Sequence, residues 1–143
     1  MATGGGVGFS PIAPGTAGTV IAIPIYLAFS IFGSYLYLIT VLALTALACH
    51  VSREGETIFG RQDPPQVVID EIVGFLWTMA LLPLTIGNIL GGFILFRLFD
   101  IIKPFPIRHV ERNLKGGLAI VMDDVVAAVY ARIALELIRR FIF

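Results

Sequence analysis

The chain alternates long uncharged apolar runs with short polar breaks. Residues 17–49 and 72–96 carry no formal charge at all. Runs this apolar predict helices in lipid, where about 20 residues cross the hydrocarbon core. Residues 17–49 exceed one untilted span. Phe32-Gly33-Ser34-Tyr35 offers a break, which predicts two short helices, with one long tilted helix as the alternative. Residues 1–16, rich in Gly and Pro, read as a loop or a short re-entrant piece. Residues 50–71 are polar, with a turn at Asp63-Pro64-Pro65. Pro83 and Gly87-Asn88 interrupt the run 72–96, while Gly91-Gly92 permits close helix packing. That run is either a straight span or a broken helical hairpin that returns the chain to the side it left.

A last helix is expected after Gly116-Gly117, starting at about Leu118 or Asp123 and reaching the C-terminus. Arg132, Glu136, Arg139 and Arg140 fall at helical spacing on it, so one face is polar. It packs in a bundle or lies in the interface. The predicted fold is all-α: a small integral membrane helical bundle with short or broken apolar helices, in a single domain spanning 1–143.

Composition sharpens this picture. Hydrophobic residues make up 57% and charged residues 14%, which argues against disorder and against a nucleic-acid surface. Formal net charge is zero, so any anion must be drawn by local charge. The first charged side chain is Arg53; a basic n-region is missing, and no cleavable signal peptide is expected. The lone Cys49 excludes an internal disulfide and reads as a small buried hydrophobe.

Where charge does occur, it is patterned. Acids stand at the ends of the apolar runs: Asp70-Glu71, Asp100 and Asp123-Asp124. Carboxylates at membrane level are costly, so they face a cavity, a partner or a metal. If the three acidic sites act together, the hairpin is required. Five of the ten basic residues, Arg97, Lys103, Arg108, Arg112 and Lys115, lie within 97–117, and the positive-inside rule puts that segment in the cytoplasm. Arg97, Asp100 and Lys103, spaced by three, share a helix face: either Asp100 binds a cation while the two bases hold phosphate oxygens, or the three form a surface ion-pair ladder with snorkelling bases. Pro14 to Thr19 stands where a loop enters a helix. There Gly15, Thr16 and Thr19 either cradle a phosphate on free backbone N–H groups or simply cap the helix, with Thr16 or Thr19 as N-cap. Asp70-Glu71 and Asp123-Asp124 have the same two readings, helix-start acids or metal ligands.

Other chemistries fit less well. No Gly-Lys-Ser/Thr ending makes a nucleotide P-loop. His50 and His109 lack zinc-site spacing, and His50 reads as a C-terminal helix cap. The sixth residue after Cys49 is Gly55, so the Cys-x5-Arg phosphatase pattern is absent. What remains is an oxygen-ligated cation, Mg²⁺ before others, held among Asp70, Glu71, Asp100, Asp123 and Asp124.

Taken in order, Gly8 to Thr16, Val68 to Gly74, Phe96 to Arg108 and Asp123 to Ala127 resemble the phosphatidylglycerophosphatase A family over nearly the whole chain. Thr19 stands where a Ser is common in that family, which keeps the hydroxyl. The resemblance implies a Mg²⁺-dependent lipid phosphatase of the bacterial inner membrane. Such an enzyme converts phosphatidylglycerophosphate to phosphatidylglycerol and inorganic phosphate at the cytoplasmic face. The resemblance does not assign individual ligands; from their place beside the acids, Arg97, Lys103 and Arg108 are the expected phosphate ligands. The rival reading is a non-enzymatic cation-binding or transport protein. It calls for acids well inside the apolar runs, whereas here they sit at the ends beside bases.

Overall fold

A computed structural model describes residues 1–142, and every regular element among them is a helix. A short 3-10 turn at Gly4–Phe9 leads into α1 (Pro14–Ser30), α2 (Gly33–Phe59), α3 (Ile69–Met79), α4 (Ile86–Ile102), α5 (Ile107–Asn113) and α6 (Gly117–Ile142). Gly33, in the left-handed region at φ 79°, makes the sharp break between α1 and α2. The two-helix reading of 17–49 therefore holds. However, α2 is not short. It runs through His50 to Phe59 and stops at Gly60, a left-handed C-cap. The polar segment after Cys49 is thus mostly helix, and His50 lies inside it rather than at its end. Charged residues on this last stretch did not end the helix because Arg53, Glu54 and Glu56 are good helix formers once outside lipid.

α3 and α4 form the broken hairpin. Pro83 lies in the connection, but Gly87-Asn88 do not interrupt anything: they occupy the first turn of α4. Thr85 caps that turn by accepting from the Asn88 N–H, and Asn88 Nδ2 donates to the Pro83 carbonyl at 2.7 Å. From the other side, Arg132 Nη1 on α6 donates to the Ala80 carbonyl at 2.6 Å. The non-helical tip thereby has polar partners, which any backbone at membrane depth requires.

α3 is the hub, packed by α1, α2, α4 and α6. Its burial on nearly every side explains why Ile69 to Met79 is apolar all round except for Asp70, Glu71 and Thr78. At eleven residues it extends only ~16 Å, about half of a bilayer core. The outer surface is inverted relative to a soluble protein. On α4, Ile86, Leu90, Ile94, Leu98 and Ile101 are exposed at helical spacing, and Val129, Ile133 and Leu137 do the same on α6. Meanwhile Asp70, Thr78, Asn88, Asp123 and Asp124 are buried. α2 is long and apolar enough to cross a membrane, and only 17% of its apolar window is buried, so most of that helix is left uncovered by the rest of the bundle. The molecule is a small membrane helical bundle.

Candidate active site

Three helices deliver the acidic residues to one end of the bundle. α3 begins at Ile69, which places Asp70 and Glu71 in its first turn. α6 begins at Gly117, so Asp123 and Asp124 lie about two turns inside it rather than at its start. The capping reading of that pair is thereby corrected: a side chain this far in cannot reach the free N–H groups of the first turn. α6 starts early because Gly116, at φ 67°, turns the chain and Gly117 lets it cross α2 closely. A Cβ on Gly117 would overlap the Cys49 carbonyl oxygen.

Ligand oxygens of Asp70, Glu71 and Asp124 lie within 4.8 Å of one another. Asp70 and Asp124 are 6% and 3% exposed. Asp70 Oδ1, Glu71 Oε2, Asp124 Oδ2 and Arg97 Nε are buried without a hydrogen-bond partner. Buried polar atoms left so cost about 1–3 kcal/mol each, and two ionised carboxylates at 4.8 Å repel by ~3.5 kcal/mol at an effective dielectric of about 20. A cation held among these oxygens would relieve both costs. The donor set is all carboxylate oxygen, with no His or Cys, which fits a hard divalent cation.

Asp100 and Asp123 are not part of this triad. Asp100 pairs with Arg97 at i, i+3, and Arg97 Nη1 also lies 4.0 Å from Glu71 Oε1. Arg97 thus steadies Glu71 from one side while Asp100 steadies Arg97. Asp123 Oδ2 accepts from Lys103 Nζ at 2.7 Å, and Asp123 Oδ1 accepts from the Asp124 N–H at 3.0 Å. Lys103, the left-handed C-cap of α4, also reaches Glu111 Oε1 at 3.1 Å. Burial alone lowers the Lys103 pKa; the Asp123 and Glu111 carboxylates outweigh it and hold the ammonium above the usual lysine range.

The predicted phosphate ligands separate. Gly15 is packed onto the Glu71–Arg97 pair, and a Cβ there would overlap Glu71 Oε1. α1 therefore enters the site through its N-terminal turn. Its N-cap is Ala13 in the left-handed region, with no side chain capping the turn; neither Thr16 nor Thr19 is the cap. Thr19 is fully buried and donates to the Gly15 carbonyl of its own helix. Thr16 sits half-buried in the first turn. Arg108 is exposed, bonds only the Ile102 carbonyl at 3.5 Å, and has no carboxylate partner among the described residues. It lines a polar cleft of about 560 Å³ together with Asp63, Glu111, Arg112 and Asp123.

Asp63 and Glu111 in this cleft were missed at the sequence level. Asp63 was hidden by the Pro64-Pro65 turn signal, though seven residues before Asp70 is a spacing a loop can fold back. A cavity of about 800 Å³ lies at the other end of α4 and α6, lined by Pro83 and Arg139, and Glu136 is its one carboxylate among the described residues. Gly74 supports the triad from below: a Cβ on it would overlap the Phe96 ring and sit 3.2 Å from Asp124 Cβ. Only glycine lets α3, α4 and α6 approach this closely.

Comparison with known proteins identifies the family. The profile of the family described as Phosphatidylglycerophosphatase A matches residues 1–139. Phosphatidylglycerophosphatase A of Escherichia coli K12 is 35% identical over 130 residues, covering 90% of this chain and 76% of that protein. The protein of the same name from Haemophilus influenzae is 38% identical over 136 residues, covering 92% and 82%. A Bacteroides thetaiotaomicron protein named putative phosphatidylinositol-3-phosphatase is 38% identical over 147 residues, covering 97% and 91%. No solved structure matches. The chain belongs to the phosphatidylglycerophosphatase A family and is a phosphatase.

Proposed function

We propose that this protein hydrolyses the terminal phosphomonoester of phosphatidylglycerophosphate, giving phosphatidylglycerol and inorganic phosphate. Asp70, Glu71 and Asp124 hold Mg²⁺, and residues 1–143 act as one membrane-embedded domain, multi-pass, with the site facing the cytoplasm of a bacterial inner membrane. The observation that carries the reading is the buried oxygen triad with unpartnered atoms. The names of the Escherichia coli and Haemophilus influenzae relatives support the substrate. The basic segment around α5 supports the cytoplasmic orientation.

When bound, the cation offsets charge on the phosphate oxygens as the ester bond breaks. The protein's own residues do the rest. Arg97 and Asp100 hold Glu71 in place, and Asp123 holds Lys103. Arg108, free of carboxylates, reaches for the phosphate oxygens from the cleft. The uncapped first turn of α1 adds N–H dipoles of the right sign. Water attacks phosphorus, forming one P–O bond as the bond to the lipid oxygen breaks. The water proton passes to a carboxylate, and we assign this role to Asp63, which lines the cleft with Arg108 and has no ion pair among the described residues. The leaving glycerol oxygen takes a proton from solvent.

The Bacteroides relative's name favours a second substrate, a phosphoinositide carrying the same phosphomonoester chemistry. Purified protein in mixed micelles, supplied with each lipid and assayed for released phosphate with Mg²⁺ or with chelator, decides. Release from phosphatidylglycerophosphate that stops with chelator supports the proposal. Release from phosphatidylinositol 3-phosphate alone, or release indifferent to chelator, rejects it.

A further inference from the structure

A second charged concavity lies beside the cleft. It measures about 640 Å³, between the end of α2, the following loop and the α5–α6 connection. Arg53, Arg61, Arg112 and Lys115 line it, against a single carboxylate, Glu56. None of the four cations is in an ion pair among the described residues, whereas Arg97, Lys103, Arg139 and Arg140 all are. Glu56 is itself engaged, accepting the Asp63 N–H at 3.1 Å.

We propose that Arg53, Arg61, Arg112 and Lys115 form a binding basin for a phosphate-bearing anion, distinct from the carboxylate triad. The anion is a phospholipid headgroup or free inorganic phosphate. Four cations in one concavity repel one another, and a multiply charged anion removes that repulsion. Guanidinium forks match phosphate oxygens in pairs, which favours phosphate over a single carboxylate. Position adds to the argument. Arg53 is the first charge after the apolar stretch of α2, so the basin stands where the helices leave lipid, at headgroup level. Arg112 also lines the cleft that holds Arg108 and Asp123, so phosphate released there needs to move only to the neighbouring concavity.

The test uses the full chain in phosphatidylcholine nanodiscs, with chelator present so that the triad contributes nothing. One arm titrates inorganic phosphate by calorimetry. The other adds phosphatidylserine to the discs and counts retained lipids by native mass spectrometry. Arg61→Gln/Lys115→Gln and, as a second pair, Arg53→Gln/Arg112→Gln are compared with wild type and with Arg139→Gln/Arg140→Gln at the far end. Circular dichroism checks helicity. Binding by wild type in either arm, weakened about tenfold or more in a folded basin variant and unchanged in the far-end control, supports the basin. The responding arm names the source of the phosphate. Absence of binding in both arms, or basin variants that bind as wild type does, overturns it. Binding is read without turnover, so a failure of the phosphatase proposal leaves this result interpretable.

Discussion

Gly15→Ala separates a working site from a merely packed one. Alanine is the better helix former by up to about 1 kcal/mol, so in open space this change would stabilise α1. Here the new Cβ would overlap Glu71 Oε1 and lie 2.9 Å from Arg97 Nη2. Both atoms end side chains that can swing, so the fold accommodates the methyl by moving the Glu71 carboxylate roughly 1 Å. The steric term and the propensity term then nearly cancel, and stability changes by no more than about 1 kcal/mol. Activity does not escape in the same way, since a 1 Å misplacement of a positioning group costs as much as hundredfold. The expected result is a fall of about ten- to hundredfold in kcat/KM with an almost unchanged melting temperature. Phosphate release in micelles and a thermal melt followed by circular dichroism measure the two quantities. Wild-type activity in a folded Gly15→Ala protein would refute the placement of Glu71 in the site.

Gly74→Ala should instead destabilise the fold by about 1–3 kcal/mol, because its Cβ meets the buried Phe96 ring rather than a flexible tip; Gly87→Ala, with open space around it, should be neutral or stabilising in the same melt. Arg108→Gln should raise KM for the lipid substrate severalfold with little change in melting temperature, because the guanidinium is exposed and pairs with no carboxylate; an unchanged KM removes it from the phosphate contacts. Asp63→Asn should lower kcat by about 10²-fold or more with KM nearly constant if its carboxylate takes the proton, and a kcat within twofold of wild type dismisses that role.

Much of the fold can be read from the pattern of charge and glycine. The break at Gly33, the interruption at Pro83 and the acids at Asp70-Glu71 follow from local rules about φ, missing N–H groups and the cost of charge in lipid, whereas the return of the chain at Pro83 follows only from the premise that the acids act together. The start of α6 was harder to read. Gly117 acts through a crossing with Cys49 on a distant helix, and no local signal separates a start at Gly117 from one at Leu118 or Asp123. The same limit applies inside the site. Five acids are visible in the sequence, but which of them face one another depends on rotation of α3, α4 and α6. Asp100 meets Arg97 within its own helix, and Asp123 meets Lys103 across a gap of twenty residues. Adjacent helical positions diverge by about 100°, and on α6 this turns Asp123 toward the base and Asp124 into the triad. Asp63 looked like turn chemistry because a left-handed φ of 46° before two prolines is turn chemistry, and its approach to the cleft is a tertiary event.

The central claim is that Asp70, Glu71 and Asp124 hold the cation on which turnover depends. The most direct measurement is phosphate release from phosphatidylglycerophosphate across a Mg²⁺ titration for wild type, Asp124→Asn and Glu136→Gln, with helicity checked in parallel. Asp124→Asn keeps the shape and removes one negative charge from a buried site. The account predicts a folded protein with a raised Mg²⁺ requirement and a maximal rate lowered by about a hundredfold, the equivalent of ~3 kcal/mol, while Glu136→Gln at the far end of α6 behaves as wild type. A folded Asp124→Asn protein with the wild-type rate and the wild-type Mg²⁺ curve would contradict it.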